Sequence, residues 1–246
     1  MFIVTTRSMF PSAFALAKSI QSKIGKRVYV TTRADTTLRP PAIRWGTSAP
    51  LSSRYPTIQL QELVASCTNK HVFSVLMRQL QIPCVELYKT VPEHFPIVVR
   101  KTLTGYGGAG IELCHNMKDY NEKFQNYHWS YWYNLDPELG VHIFEGTVLK
   151  VFKKVRNPNL PSEEYPIRNA HRGYSFSRVN QENFQKLIPF VKNFYTKFPI
   201  LFGRMDVGWD RDAKTYRIIE FNTAPGLTQN HDTLDAYASS LANVLQ

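Results

Sequence analysis

An acid-containing pair of segments near the C-terminus has the residue types of a magnesium site. Asp206 lies in one stretch of alternating apolar and polar residues, and Glu220 and Asn222 end the next one. If the turn between them centres near Asp212, Asp206 pairs with Ile218 and lies diagonal to Glu220, at ~7–8 Å on the polar face. Carboxylate and amide oxygens are the ligands that Mg²⁺ takes when it also coordinates nucleotide phosphates. The pattern predicts a metal site at Asp206, Glu220 and Asn222, with a solvated strand face as the alternative.

A glycine-rich loop upstream has the spacing of a phosphate-binding segment. Its glycines and the tyrosine between them are Gly105, Tyr106, Gly107, Gly108 and Gly110. A dinucleotide fingerprint requires a helix after the last glycine, but the alternation of residues 111–114 predicts a strand, and no Walker A lysine follows. What remains is a hairpin loop whose backbone N–H groups can close over phosphates, with Lys101 four residues ahead to meet them. The alternative is an ordinary glycine-rich turn.

The surrounding elements are those of an α/β chain that opens as strand, helix, strand. Predicted helix caps are Ser12, Gly25 and Asn69 or Thr68. Further strands are predicted at residues 95–101, 111–114, 129–133, 141–144, 147–155, 200–210 and 215–222, and further helices at 70–81, 117–125, 181–198 and 234–245. Glu145 and Gly146 form a two-residue hairpin signal, and residues 157–177 are predicted to be a long polar loop.

Charge is concentrated at the N-terminus. The 246 residues have a formal net charge of +11, and residues 1–60 contain nine basic side chains against the single acid Asp35, a net +8. This excess predicts either an anionic partner or a plain solvated basic face. A hydrophobic content of 43% excludes a disordered chain. The three dispersed cysteines favour neither disulfides nor a zinc ribbon, and no apolar run reaches the ~18–20 residues of a membrane span. We therefore predict a soluble, cytoplasmic protein.

The order of these parts resembles the ATP-grasp superfamily. A helix after Asn69, a glycine-loop hairpin after Lys101, a three-strand middle, a basic loop and an Asp…Glu-x-Asn…Pro-Gly ending follow one another as in that family. The resemblance is strongest to compact, often virus-encoded members related to ribosomal-protein glutamate ligases; for a viral protein the cytoplasm would be the host's. It implies α+β lobes in an ATP-grasp fold, with a small N-terminal βαβ preceding domain (1–67), a central lobe (68–133) and a C-terminal lobe (134–246).

The resemblance also implies which residues contact ATP. Lys101 matches the strand lysine that contacts the α-phosphate and adenine, although Arg100 beside it could take that role. Lys70 matches a helix-starting lysine, and Glu138 the carboxylate that holds the ribose hydroxyls. The loop that covers the phosphates matches Gly105, Tyr106, Gly107 and Gly108. The hinge whose backbone recognises the adenine edge matches Ser130, Tyr131, Trp132 and Tyr133.

Around the reacting phosphate the match is close, with one departure. The magnesium triad corresponds to Asp206, Glu220 and Asn222, and Arg168, with Lys153 or Lys154, would steady the γ-phosphate and an acyl phosphate. Gly140 stands where an arginine is usual in the family's Glu-x-Arg-Val-His strand. A phosphate or substrate contact is therefore missing from that strand unless Arg204 or Lys153 replaces it.

These features predict an ATP- and Mg²⁺-dependent ligase that joins a carboxylate to an amine through an acyl phosphate. Bringing two anions together requires cations rather than a protein nucleophile. Two alternatives are a phosphotransferase of the same fold and a non-catalytic, basic nucleic-acid-binding or virion-associated protein with a relic nucleotide site. The intact charged residues argue against the relic. The acceptor could be a small molecule, a peptide or a protein, because loops set that specificity.

Overall fold

Three β-sheets with flanking helices organise the part of the chain that the computed structural model describes. That part comprises residues 1–33, 41–51, 57–104, 108–159, 168, 173–179, 184–228 and 230–245. The first sheet is parallel and the other two are antiparallel. The antiparallel sheets position the candidate site, and the parallel sheet packs against the far end of the larger one.

The N-terminal sheet has the strand order β2-β1-β3-β4. Its strands are β1 (Phe2–Thr5), β2 (Tyr29–Thr31), β3 (Ala42–Trp45) and β4 (Thr57–Ile58). Helix α1 (Phe10–Ile24) connects β1 to β2 and buries Leu16 and Ile20. Parallel strands need such a crossover, and the predicted strand, helix, strand opening is confirmed.

The two ends of α1 match the sequence differently. Gly25 ends the helix as predicted, in the left-handed conformation with φ of 65°. Ser12 was the wrong N-cap, because the helix begins at Phe10, with Pro11 in the first turn, where a missing N–H costs nothing. Ser12 is instead buried, and its hydroxyl accepts a hydrogen bond from the Leu227 N–H at 3.1 Å.

The central sheet is small and has the order β6-β5-β7. Its strands are β5 (Ile97–Arg100), β6 (Ile111–Cys114) and β7 (His128–Tyr131). Ile97 and Val99 face a core with Trp129, while Val98 and Arg100 face the opposite side. The short helix α4 (Met117–Asp119) continues as a π-helical turn before β7. The glycine loop joins β5 to β6, so the expected strand after the loop is confirmed.

The largest sheet has the order β10-β9-β8-β11-β12. Its strands are β8 (Leu135–Phe144), β9 (Thr147–Arg156), β10 (Tyr174–Arg178), β11 (Phe202–Asp210) and β12 (Thr215–Asn222). Glu145 and Gly146 form the predicted turn, with φ of 48° and 72°. The predicted loop over 157–177 is wrong at its end, because β10 pairs with β9 there. Most of the rest of that loop lies outside the described residues.

The remaining helices are α2 (Gln61–Thr68), α3 (Lys70–Gln79), α5 (Leu187–Lys197) and α6 (His231–Leu245). Helices α3 and α5 cover one face of this sheet, and the other face is polar around the candidate site, with α6 packed at its end against Phe144 and Phe202. Phe73 of α3 and Phe194 of α5 share a buried core with Val141 and Met205 of the sheet. The opposite, polar face holds the candidate site. Within the described residues, no helix is both long and apolar enough to cross a membrane.

Candidate active site

A cavity of about 560 Å³ lies between the central sheet and the polar face of the large sheet. Its walls include Arg100 of β5, Ser130 at the end of β7, Trp132 in the following connection, Glu138 of β8, and Arg168. The sequence had predicted the last four for a nucleotide site from widely separated segments. The antiparallel pairing of β5 with β7 and the strand β8 that follows bring them to one cavity.

Arg100, rather than Lys101, supplies the strand cation of the cavity. Arg100 is 9% exposed and its Nε has no hydrogen-bond partner among the described residues. Burial lowers the pKa of this guanidinium, and the charge of Glu220 acts in the opposite direction. Lys101 follows on the other face of the strand, where it forms an ion pair with Glu112 and lies 5.6 Å from the centre of the Phe124 ring. The match by residue type favoured Lys101 as the nucleotide-binding cation, whereas strand alternation places the Arg100 side chain in the cavity wall.

The hinge pocket, which we define as residues 130–133 with Tyr88 and Trp129 behind them, is held by aromatic packing and backbone hydrogen bonds. The Tyr88 and Trp129 backbones exchange N–H···O bonds of 2.7 and 2.9 Å. The Tyr131 ring packs edge-on against both aromatic rings, at centroid distances of 5.7 and 5.1 Å. Trp132 is 38% exposed and lines the cavity. The hinge pocket is therefore an apolar slot with backbone groups at its edge.

Glu138 is the centre of a charged cluster on the cavity wall. Its carboxylate lies 3.0 Å from Lys154 Nζ and 3.6 Å from Arg168 Nη1, and Arg168 also donates to the Leu135 carbonyl at 2.8 Å. Lys153 pairs across the sheet with Leu139, whose side chain is in the core. Because paired residues share a face, Lys153 projects from the core side of the sheet and away from the cavity. Of the two lysines that the sequence offered, Lys154 is the one at the site.

The predicted triad lies on the polar face in a different register from the one expected. Asp206 pairs directly with Glu220, and Arg204 with Asn222, because an irregularity after Asp206 shifts the later pairs. The prediction that Asp206 pairs with Ile218 was wrong for two reasons: the turn centres between Asp212 and Ala213 rather than at Asp212, and a bulge after Asp206 adds one further residue. Direct pairing places the two carboxylates closer together than a diagonal would.

Both carboxylates of the triad are paired with cations. Asp206 accepts two hydrogen bonds from Arg204, at 2.7 Å from Nε and 3.0 Å from Nη2. Lys70 Nζ, at the start of α3, lies 3.4 Å from Glu220. We call these five residues, Lys70, Arg204, Asp206, Glu220 and Asn222, the charged floor. Its negative groups are thus neutralised by cations of the same protein.

The donor set of the charged floor fits a hard divalent cation. Two carboxylates and an amide project from neighbouring positions of one sheet face, and oxygen donors of this kind suit Mg²⁺. The described residues contain no group of three or more His, Cys, Asp or Glu side chains placed to hold a metal. A magnesium site shared with phosphate oxygens needs only a partial set of protein oxygens such as this triad.

Gly140 lies directly opposite Asp206 on β8. A Cβ atom at this position would lie 3.3 Å from Arg204 Cδ, so the arginine arm passes over the glycine. Of the two residues expected to replace an arginine at position 140, Arg204 is adjacent to it and Lys153 faces away. The cation of this part of the site therefore comes from β11 rather than β8.

Beside the charged floor, on the same face of the sheet, a buried histidine connects the sheet to α6. His142 is 5% exposed, and its Nδ1 lies 3.1 Å from the Tyr237 hydroxyl, which donates to the Gly203 carbonyl at 2.8 Å. Burial, and secondarily the charge of Arg204, lower the pKa of His142 to about 3. The histidine is consequently neutral at physiological pH and serves as a hydrogen-bonding group.

The base of the glycine loop is tied to the charged floor. The Lys101 N–H donates to the Gly110 carbonyl at 2.7 Å, and the Lys70 N–H donates to the Leu103 carbonyl at 3.0 Å. Gly108 and Gly110 have φ of 78° and 70°, which favour glycine. Gly105, Tyr106 and Gly107 lie outside the described residues. The helix that presents Lys70 to Glu220 is thus hydrogen-bonded to the strand end that carries the loop.

Sequence reasoning missed Tyr174 and Ile219 of the cavity wall and, next to the charged floor, Phe176. Phe176 of β10 lies on the polar face, 4.9 Å from the Arg204 guanidinium. It fell in the predicted loop, although the alternation of aromatic, serine and arginine residues over 174–178 is a strand signal.

Comparisons with known proteins agree with this arrangement at the level of fold. No protein-family model and no curated protein sequence matches the chain. Among solved structures, the ATP-grasp ligase PsnB complexed with a minimal precursor aligns with 100% of this chain and 99% of its own, at a TM-score of 0.71 and 10% identity. D-alanine–D-alanine ligase from Bacillus anthracis complexed with ATP aligns with 99% of this chain and 96% of its own (0.67, 13%). D-cycloserine synthetase DcsG aligns with 100% and 99% (0.69, 12%). The predicted ATP-grasp fold is confirmed.

Proposed function

We propose that the protein is an ATP-dependent ligase that joins a carboxylate to an amine. The observation that carries this proposal is the cavity wall, which contains both Arg100 and Ile219, the residue next to Glu220 of the charged floor on β12. The cation-lined end of the cavity therefore meets the oxygen triad. A nucleotide in the cavity would direct its phosphates to the place where a metal and a second anion can meet.

In this proposal the hinge pocket holds the base and Glu138 holds the ribose. Trp132 and Tyr133 provide apolar surface, and the backbone of residues 130–133 provides donors and acceptors for the base edge. Arg100, Lys154 and Arg168 face the phosphates. The glycine loop closes over them and excludes water, which would otherwise hydrolyse an acyl phosphate.

Asp206, Glu220 and Asn222 would hold Mg²⁺, which when bound neutralises charge on the β- and γ-phosphates. A metal ion held there would compete with Arg204 and Lys70 for the two carboxylates. The Arg204 guanidinium would then be able to contact an incoming anion. The charged floor would thus exchange internal ion pairs for contacts to ligands.

The chemistry then proceeds in two displacements. A carboxylate oxygen of the substrate attacks the γ-phosphorus, the bond to the β–γ bridging oxygen breaks, and ADP leaves. The amine nitrogen next attacks the acyl carbon, the bond to the phosphate oxygen breaks, and inorganic phosphate leaves as the amine proton passes to solvent. Arg204 would orient the reacting carboxylate and stabilise charge on the acyl phosphate. The folds of ligases such as D-alanine–D-alanine ligase support this reading of the site.

The test is mass spectrometry of a cell extract incubated with the protein and Mg·ATP, followed by ADP-release assays with the components of each new product. We expect ADP release that requires both a carboxylate and an amine, and a product lighter by one water than their sum. Phosphoryl transfer to an alcohol would favour the phosphotransferase alternative. Absence of any Mg·ATP-dependent rise in melting temperature would contradict nucleotide binding itself.

A further inference from the structure

An exposed aromatic ring lies over the cations of the candidate site. Phe176, on the edge strand β10, is 39% exposed. Its ring centre lies 4.9 Å from Arg204 Cζ and 5.7 Å from Lys154 Nζ. Both distances are within the range of a cation–π contact. A large apolar ring that is partly exposed on an edge strand contributes little to the core. Core packing therefore does not explain why Phe176 lies over two cations.

Gly140 provides the space for this contact. A Cβ atom at position 140 would lie 3.0 Å from Phe176 Cε1 and 3.3 Å from Arg204 Cδ, so a larger side chain would displace the ring or the arginine arm. Glycine inside a strand weakens it by loss of packing and backbone entropy. The ring and the arginine share the volume that a side chain at position 140 would otherwise occupy.

Arg204 is therefore held from two directions. Asp206 accepts hydrogen bonds from Nε–H and one Nη2–H, and the Phe176 ring centre lies 4.9 Å from Cζ. A guanidinium has five N–H donors. Within the described residues, the remaining three have no recorded hydrogen-bond partner, so the fork can receive an anion.

We propose that Phe176 is a positioning residue that keeps the Arg204 guanidinium aimed at the reacting carboxylate; this rests on the proposed function. The contact with Asp206 would be lost if that carboxylate turned to a metal ion, whereas the contact with the ring does not involve Asp206. The ring thus holds the arginine through the exchange of partners. Gly140, which has no side chain, leaves the space that this contact requires.

The first test uses the full-length, unliganded protein and does not depend on ligase activity. The side-chain Nε–H and Cδ–H resonances of Arg204, assigned by their loss in Arg204→Lys, are compared among wild type, Phe176→Leu and Phe176→Tyr. We expect Phe176→Leu to move these signals downfield, through loss of the ring current, and to speed Nε–H exchange, while Phe176→Tyr restores both. Unchanged Arg204 signals in Phe176→Leu would overturn the proposal.

Two further variants separate positioning from general damage. Gly140→Ala leaves both partners present but crowds the ring, so it should shift the same Arg204 signals even if Phe176→Leu does not fold. Phe14→Leu is the matched control, because Phe14 is an exposed ring, 46% accessible, with Lys18 4.6 Å from its centre and outside the site. Phe14→Leu should leave the Arg204 signals unchanged; a shift there would show that they report global loosening and would count against the proposal.

The second test uses turnover with Mg·ATP and an active carboxylate and amine pair. We expect Phe176→Leu to lower kcat about tenfold to a hundredfold with little change in KM for ATP, and Phe176→Tyr to recover most of kcat. An effect confined to KM for the carboxylate would overturn positioning and assign Phe176 a direct substrate contact. If no pair supports ADP release, the proposed function fails, and the stacking of Phe176 on Arg204 is judged on the resonance data alone.

Discussion

The hinge pocket lines the cavity, the charged floor lies next to the cavity wall at Ile219, and the two regions differ in how their polar groups are satisfied. In the hinge pocket, aromatic rings pack against one another and the backbones of Tyr88 and Trp129 are hydrogen-bonded, so nothing must move apart to admit a base. In the charged floor, Asp206 is paired with Arg204 and Glu220 with Lys70. There, a metal ion that binds either carboxylate would compete with an existing ion pair.

This difference follows from the cost of burying charge. An apolar slot can remain unoccupied without penalty beyond its hydration, whereas an uncompensated charge at low exposure costs several kcal/mol. In the charged floor, the carboxylates and the cations therefore neutralise one another. The expected consequence is that metal and nucleotide bind cooperatively at the charged floor, while the base contributes independently at the hinge pocket.

The largest effect is expected from Asp206→Asn, which breaks the charged floor and should leave the hinge pocket intact. Loss of the carboxylate removes a predicted metal ligand and leaves Arg204 without its counter-charge. We expect Mg·ATP-dependent thermal stabilisation to disappear and the free energy of unfolding to fall by about 2–3 kcal/mol, below the ~3–5 kcal/mol of a fully buried pair because part of Arg204 is exposed. Differential scanning fluorimetry and urea titration measure both.

The control for that variant is Asp235→Asn, which removes an equal charge from the surface pair of Lys23 and Asp235. Exposed pairs contribute about 0–1 kcal/mol. The Mg·ATP response should be preserved in this control. An unchanged response in Asp206→Asn itself would rule out its place at the metal.

Arg100→Met tests which of two neighbouring cations serves the cavity. We expect the Kd for Mg·ATP, measured by isothermal titration calorimetry, to rise at least about tenfold, the equivalent of ~1.4 kcal/mol. The unliganded protein should be as stable as wild type or more so, because a buried guanidinium with an unpaired Nε is replaced by an apolar chain. Lys101→Met is the matched control and should change the Kd less than about twofold; the reverse ranking would restore the assignment made from residue type.

Arg204→Met tests whether ion pairs within the charged floor compete with the metal. Without its arginine, Asp206 is an unpaired carboxylate of low exposure, and a divalent cation can neutralise it. We expect Mg²⁺ without nucleotide to bind about tenfold more tightly to this variant than to wild type, visible as a larger rise in melting temperature. Ca²⁺ and Na⁺ at matched ionic strength control for screening. Equal responses in the two proteins would mean that Arg204 does not compete.

The smallest effect concerns His142, which lies beside the charged floor on the same face of the sheet. His142 has a folded-state pKa lowered to about 3 by burial, against an unfolded value near 6.5, so below pH 6.5 the unfolded chain binds a proton that the native protein does not. Stability should therefore fall as pH is lowered, with His142 contributing about 1 kcal/mol of loss between pH 6.5 and 5.5. Urea titrations should show that His142→Gln flattens this slope. His231→Gln, at an exposed histidine of α6, should leave the slope unchanged. If His142→Gln has the same slope as wild type, the assignment is contradicted.

The N-terminal charge illustrates what counting alone misjudges. Of the basic residues in this region, Arg44 is buried, with its guanidinium 2.5 Å from the Ala49 carbonyl, and Lys23 pairs with Asp235. Burial lowers the pKa of Arg44, and the charge of Glu62 opposes this. Part of the +8 is therefore structural rather than available at the surface. An anionic partner for the remainder stays a prediction.

The sequence by itself determined the kinds of element, their order, the ATP-grasp fold and the segments that would meet at the site. These depend on local patterns, which residues close together in the chain determine. Examples are the apolar alternation in β12, the Gly25 cap and the turn at Glu145. It also identified both members of each ambiguous pair, Arg100 with Lys101 and Lys153 with Lys154.

Only the tertiary structure decided which member of each pair faces the cavity, that Asp206 pairs with Glu220 rather than Ile218, and that Phe176 lies over Arg204 above Gly140. One residue of register reverses every side chain of a strand, and a single bulge shifts the pairing of all residues beyond it. Such choices are set by contacts between segments distant in sequence, so local patterns do not carry them. The residue types therefore indicate the chemistry of this site, whereas the packing of two sheets sets its geometry.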